Sequence, residues 1–176
     1  MEMNGSLVLF YKDESLIPQI NPLKPYRFPK GFILVQDTRE QRPLFTDDST
    51  PCVTSTLHDG DYSIQGLESR IVFERKQISD LYSYCGKERD KTIAKMNRFK
   101  YIVENNGFIA LIIESTEEDV LFGNQFSKVT PEMVRQALVS FQIRYGIHVY
   151  FSNDRDYLRR YILDHAIKFY KVLREV

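Results

Sequence analysis

The chain has 176 residues, 43% of them apolar and 27% charged, with equal numbers of acidic and basic side chains. This is enough chain for one domain with a sizeable core, and a net charge of zero makes any nucleic-acid affinity the work of local patches rather than of a whole-molecule field. Cys52 and Cys85 offer neither a disulfide framework nor a metal-ligand spacing. No apolar run approaches a membrane span and the first residues lack a signal-peptide pattern, so an intracellular, cytoplasmic protein with no membrane partner is expected.

Residues 1–30 read as an extension. Leu7 to Tyr11 suit a short strand, and Pro18, Pro22, Pro25 and Pro29 then forbid a regular helix and favour extended chain. The domain is expected over residues 31–176. Phe32 to Val35 is uniformly apolar, the pattern of a strand buried on both faces, and it runs directly into Asp37, Thr38, Arg39 and Glu40. In open α/β sheets ligands gather at strand ends; a surface turn with weak internal ion pairs is the plain alternative. Val53 to Leu57 suits an edge strand, and Asp59-Gly60 a turn.

Asp61 to Ile64 and Ile71 to Arg75 read as two strands joined by the turn Gln65 to Ser69. The apolar run Ile71-Val72-Phe73 ends abruptly in Glu74-Arg75-Lys76. Strand side chains alternate between faces, so Glu74 and Lys76 point the same way. Antiparallel pairing would bring Asp61 beside Glu74. Two carboxylates and an ammonium around one point can hold a hard divalent cation and polarise a phosphate and a water; a solvated strand end is the bland alternative.

A short helix is expected over Ile78 to Tyr84, capped by Gly86, and a longer one over Lys87 to Glu104. Lys87, Lys91, Lys95 and Arg98 fall on one stripe of the latter, either a DNA-binding track for phosphates or a solvated face. Phe108 to Ile113 is another buried-type strand. Thr130-Pro131-Glu132 starts a helix that Gly146 closes after Tyr145. Ile147 to Phe151 follows as the last strand, with His148 expected to be packed or hydrogen-bonded rather than a ligand. Asn153 with Asp156 suggests the cap of a final helix, whose broad aromatic stripe covers the sheet or meets a second subunit. The element order predicts an α/β fold with a central mixed sheet and flanking helices.

Asp37-Thr38-Arg39-Glu40, Gly60-Asp61-Tyr62 and Val72-Phe73-Glu74-Arg75-Lys76-Gln77-Ile78-Ser79-Asp80 together resemble the nuclease motifs of the XPF/MUS81 family, also called the ERCC4 domain family. That family belongs to the restriction-endonuclease-like PD-(D/E)XK superfamily, and this chain looks most like its stand-alone phage and prokaryotic members. The resemblance implies a DNA endonuclease dependent on Mg²⁺ or Mn²⁺, acting on branched, flapped or single-strand-containing DNA in repair, recombination or replication. A non-catalytic DNA-binding scaffold and an RNA-processing nuclease of the same fold are the alternatives.

By the same resemblance Asp61 and Glu74 are the principal metal ligands, joined by the Arg75 carbonyl. Lys76 orients the attacking water and steadies the phosphate. Asp37 and Glu40 form an outer acidic wall able to hold a second cation, Arg39 and Arg75 position the carboxylates or touch phosphate, and Asp80 supports the site. Cellular members usually append a tandem helix-hairpin-helix module that grips branched duplex DNA. After Phe151 only one further helix is expected here, which weakens the expectation of structure specificity, leaves a homodimer only the nuclease-domain surface, and points to a protein partner as a source of selectivity.

Overall fold

A computed structural model of the protein describes residues 25–122 and 128–175. The strand expected at Leu7 to Tyr11 and most of the proline-rich extension lie outside them. The described elements are β1 (Leu34–Asp37), β2 (Cys52–Ser55), β3 (Tyr62–Ile64), β4 (Ile71–Gln77), α1 (Ile78–Cys85), α2 (Arg89–Glu104), β5 (Phe108–Glu114), α3 (Glu117–Phe122), α4 (Pro131–Tyr145), β6 (His148–Phe151) and α5 (Arg155–Val172).

The strands form one six-stranded mixed sheet in the order β2-β1-β3-β4-β5-β6. β3 is antiparallel to both of its neighbours, whereas β4, β5 and β6 run parallel to one another. These parallel pairs need crossovers, and α1–α2 and α3–α4 supply them, whereas β1 and β2, also parallel, are joined by the loop 38–51 without a helix. Period-two alternation divides the apolar side chains between two cores. Ile71 and Phe73 of β4, with Ala110 and Ile112 of β5, pack against Leu158, Ile162 and Ala166 of α5. Val72, Ile109, Leu111 and Ile113 face the other way, onto Leu81, Met96, Phe99, Val134 and Leu138 of α1, α2 and α4. The predicted mixed sheet with helices on both sides is therefore the observed architecture.

Local chemistry sets the helix ends. Thr130 caps α4, its side chain accepting from the Met133 amide at 3.3 Å, with Pro131 at the first position. Gly146 ends that helix in the left-handed conformation, at φ 68°. The cap of α5 falls at Asp154, between the two residues expected to provide it. Its carboxylate accepts from the amides of Asp156 and Tyr157 at 2.8 and 3.4 Å. β1 lies two residues later than the apolar run suggested. Its pairing with β2 continues through Gln36 and Asp37, so hydrogen bonding rather than hydrophobicity sets its end. Residues 25–30 lie on α5, where Tyr26 donates to Asp164 at 2.9 Å and Phe28 stacks on Phe32.

Candidate active site

The charged ends of β1, β3 and β4 meet where the antiparallel and parallel parts of the sheet join. Gly60 makes the approach, with a φ of 79° that a side chain would strain. A Cβ there would lie 2.2 Å from Val72 Cγ1 and 3.0 Å from the Phe73 carbonyl. The next residue, Asp61, donates its amide to the Phe73 carbonyl at 2.8 Å, and its carboxylate accepts from the Arg75 amide at 2.7 Å. The carboxylate is thus tied across the hairpin beside Glu74.

Alternation along β4 sorts the three charged residues between the faces. Glu74 and Lys76 lie on the α1–α2 side. The Glu74 side chain is 2% exposed and meets two ammonium groups, Lys76 at 2.6 Å and Lys95 of α2 at 2.8 and 3.0 Å. Burial pushes the Glu74 carboxyl up, but the charges of Lys76 and Lys95 outweigh it and hold the carboxyl below its ordinary value. Asp61 goes the other way: burial first, and the Glu74 charge second, push it up to about 7. The Lys76 ammonium also lies 3.4 Å from the Arg75 carbonyl and 5.1 Å from the centre of the Tyr84 ring. Burial would lower its pKa, but Glu74 and Asp61 raise it.

Arg75 points to the opposite, α5 face. It donates two parallel hydrogen bonds to Glu40, at 2.7 and 2.8 Å, and another to Glu114 at the end of β5. Arg155, at the start of α5, donates to the other Glu114 oxygen at 2.7 Å and to the carbonyls of Arg42 and Pro43 at 2.9 and 2.8 Å. Bidentate guanidinium–carboxylate pairs of this kind are geometrically exacting, and here they fix the loop after β1 to the ends of β4 and β5.

Asp61, Glu74 and Lys76 thus come together, and Asp80 joins Glu74, Lys76, Lys91 and Lys95 along a cleft of about 420 Å³. Asp37 and Glu40, expected as an outer wall able to hold a second cation, are each paired with a guanidinium group. Arg39 occupies both Asp37 oxygens, the Leu57 amide adds a further bond at 3.0 Å, and Arg75 occupies Glu40. The Arg39 contacts hold the Asp37 carboxyl well down, at about 2. Among the described residues no three acidic, histidine or cysteine side chains converge as a ready metal cluster. The pair of half-buried Asp61 and buried Glu74 still suits a hard cation, because its donors are oxygens and the mutual repulsion that raises Asp61 is what a dication would relieve.

The expected phosphate track is divided, and its first member, Lys87, lies in the turn before α2, which starts at Arg89 rather than Lys87. Lys87 and Lys91 are exposed and form no ion pair among the described residues, whereas Lys95 binds Glu74 and Arg98 binds Asp59 at 2.7 Å. Lys95 as a partner of Glu74, and Glu114 and Arg155 as the anchor of Arg75, were not foreseen. Only Glu114 carried a signal, as an acid closing an apolar strand. His148 lies exposed at the sheet edge, stacked on Phe108 with ring centres 4.7 Å apart.

A family model described as the ERCC4 domain matches residues 36–164, and the chain belongs to that family, the one its motifs resemble. The fold is also that of two solved structures. XPF from Aeropyrum pernix in complex with DNA is 20% identical, with a TM-score of 0.58, over 80% of this chain and 66% of that one. XPF from Aeropyrum pernix is 19% identical, with a TM-score of 0.50, over 67% of this chain and 52% of that one. The chain therefore spans just under two thirds of the first structure and about half of the second. No curated protein matches it.

Proposed function

We propose that the protein is a divalent-metal-dependent DNA endonuclease that hydrolyses phosphodiester bonds in branched, flapped, forked or single-strand-containing DNA. One observation carries this reading: the half-buried Asp61 carboxylate, tied to the Arg75 amide, stands beside the buried Glu74 carboxylate and the Lys76 ammonium, and the latter two line a cleft. Asp61 and Glu74 would hold Mg²⁺ or Mn²⁺, with the Arg75 carbonyl beside them. The cation would supply Lewis-acid stabilisation of the phosphate and an activated water near neutral pH.

The chain's own groups do the rest. Lys76, kept protonated by Glu74 and Asp61, offsets the negative charge that builds on the phosphate during attack. Asp80 lies on the same cleft and adds its charge to those holding Lys76 protonated. Arg75 serves from the far face: its amide orients Asp61, and its guanidinium locks β4 to Glu40 and Glu114. Lys91, exposed at the cleft, meets the incoming backbone.

The test is cleavage of labelled flap, fork, four-way junction, duplex and single-stranded DNA with Mg²⁺ or Mn²⁺, by the native chain and by Glu74→Ala and Lys76→Ala. Metal-dependent cutting by the native chain alone is expected. Full activity in both variants would remove this site from consideration, and binding without cutting under either metal would make the protein a DNA-binding scaffold.

A further inference from the structure

The cleft wall holds two buried hydroxyl groups with no protein partner. Tyr84 is 6% exposed and Thr92 2%, and among the described residues neither Tyr84 Oη nor Thr92 Oγ1 makes a hydrogen bond. Both residues line the cleft that carries Glu74, Lys76 and Lys95, and both also line the neighbouring groove toward Met133, Phe141 and Tyr145. Leaving one such group unpaired away from water costs about 1–3 kcal/mol, so two on the wall of one cleft ask what fills their bonds.

Their surroundings select the ligand. Burial, and then the charges of Glu74, Asp61 and Asp59, push the Tyr84 hydroxyl up, so it keeps its proton and is available as a donor. The cleft carries three ammonium groups, Lys76, Lys91 and Lys95, against three carboxylates, Glu74, Asp80 and Glu88. That balance alone does not attract an anion, but a dication at Asp61 and Glu74 would make it positive. Neutral hydroxyl donors beside retained ammonium groups suit a phosphoryl oxygen, which only accepts hydrogen bonds.

We propose that the Tyr84 and Thr92 hydroxyls, with Lys95, form a subsite for a backbone phosphate next to the one attacked, holding the DNA strand in register in the cleft. The proposal rests on the nuclease reading above and assigns the neighbouring contact within it. Tyr84 and Thr92 are binding residues here, distinct from the group that faces the reacting phosphate.

The test is Tyr84→Phe with Thr92→Val, singly and together. These changes keep the ring beneath Lys76 and the branched shape while removing only the hydroxyls. Binding of a fluorescein-labelled DNA fork is measured over a salt series in Ca²⁺, which supplies the dication's charge, with the fork checked to stay intact, and cleavage is measured separately in Mg²⁺. The double variant is expected to bind the fork roughly tenfold or more weakly, since each lost bond is to a charged acceptor. Its log–log salt slope stays native, because no counterion contact has gone, and its melting temperature is unchanged or higher, because an unpaired buried hydroxyl has been removed. Native affinity in the double variant overturns the subsite. So does a reduced salt slope, which would mean a displaced lysine. So does weaker binding that follows only from a lowered melting temperature. Because binding is read without cleavage, these results stand apart from failure of the nuclease reading, which would show as cutting that survives Glu74→Ala.

Discussion

Lys95→Ala examines how the charge of Glu74 is balanced. The Glu74 side chain, 2% exposed, depends on Lys76 at 2.6 Å and Lys95 at 2.8 Å. A hydrogen bond to a charged partner contributes about 1.5–3 kcal/mol. Lys95 is 27% exposed, so water recovers part of this on truncation, and Lys76 remains. The expected loss is about 1–2 kcal/mol, which for a domain of this size lowers the melting temperature by roughly 2–8 °C. The assay is thermal unfolding at pH 8, in EDTA and in Mg²⁺. A cation at Glu74 does the work of the missing ammonium, so the variant gains more from Mg²⁺ than the native chain and the gap closes to less than half. The variant also binds Mn²⁺ more tightly, since Lys95 no longer has to leave Glu74 first. Equal melting temperatures in EDTA, or a gap that ignores the metal, would refute the reasoning.

Gly60→Ala should destabilise by about 2–4 kcal/mol, from the left-handed backbone and the clash with Val72 together, as read by urea unfolding; the same shift would carry Asp61 away from Glu74 and abolish cleavage. Asp37→Asn should cost about 1–2 kcal/mol at neutral pH once the exposure of Arg39 is discounted. The Asp37 carboxyl is held at about 2 against an ordinary 3.8, so its contribution is complete above 3.8 and is lost as pH falls toward 2; melting curves of the two chains should therefore converge in acid. Arg155→Met leaves Glu114 with Arg75 but releases the Arg42 and Pro43 carbonyls, and should appear as about 1–2 kcal/mol of lost stability and faster proteolysis between Arg42 and Ser49.

The parts of the site legible in the sequence were those governed by a local period. Glu74 and Lys76 share a face because strand side chains alternate, and Asp61 reaches them because a short turn folds its strand back. The same alternation sends Arg75 to the other side, but its partners Glu40 and Glu114, and the Arg155 that shares Glu114, come from three separate segments that only the tertiary fold brings together. Lys95 sat on a stripe whose spacing suits solvent or phosphate equally; its attachment to Glu74 depends on how α2 packs on the sheet. That Arg39 folds back onto Asp37 was not legible either, because a spacing of two in the chain does not give the path of the turn between them. The helix α3 (Glu117–Phe122) was missed, since six residues opening with three acids carry too little periodicity to register. The sheet itself was readable because its buried strands are short apolar runs ended by turns.

The parallel pairing of β4 with β5 along all seven residues, Ile71–Phe108 to Gln77–Glu114, has a consequence for hydrogen exchange. Glu74 and Lys76 are borne by a central strand, and amides of core strands typically open only with the whole domain, unlike those of a surface loop with its own low opening free energy. Deuterium should therefore enter β4 and β5 at the rate set by global unfolding. The carboxylates would stay in place through local fluctuations of the chain, and thermal inactivation should coincide with the melting of the sheet.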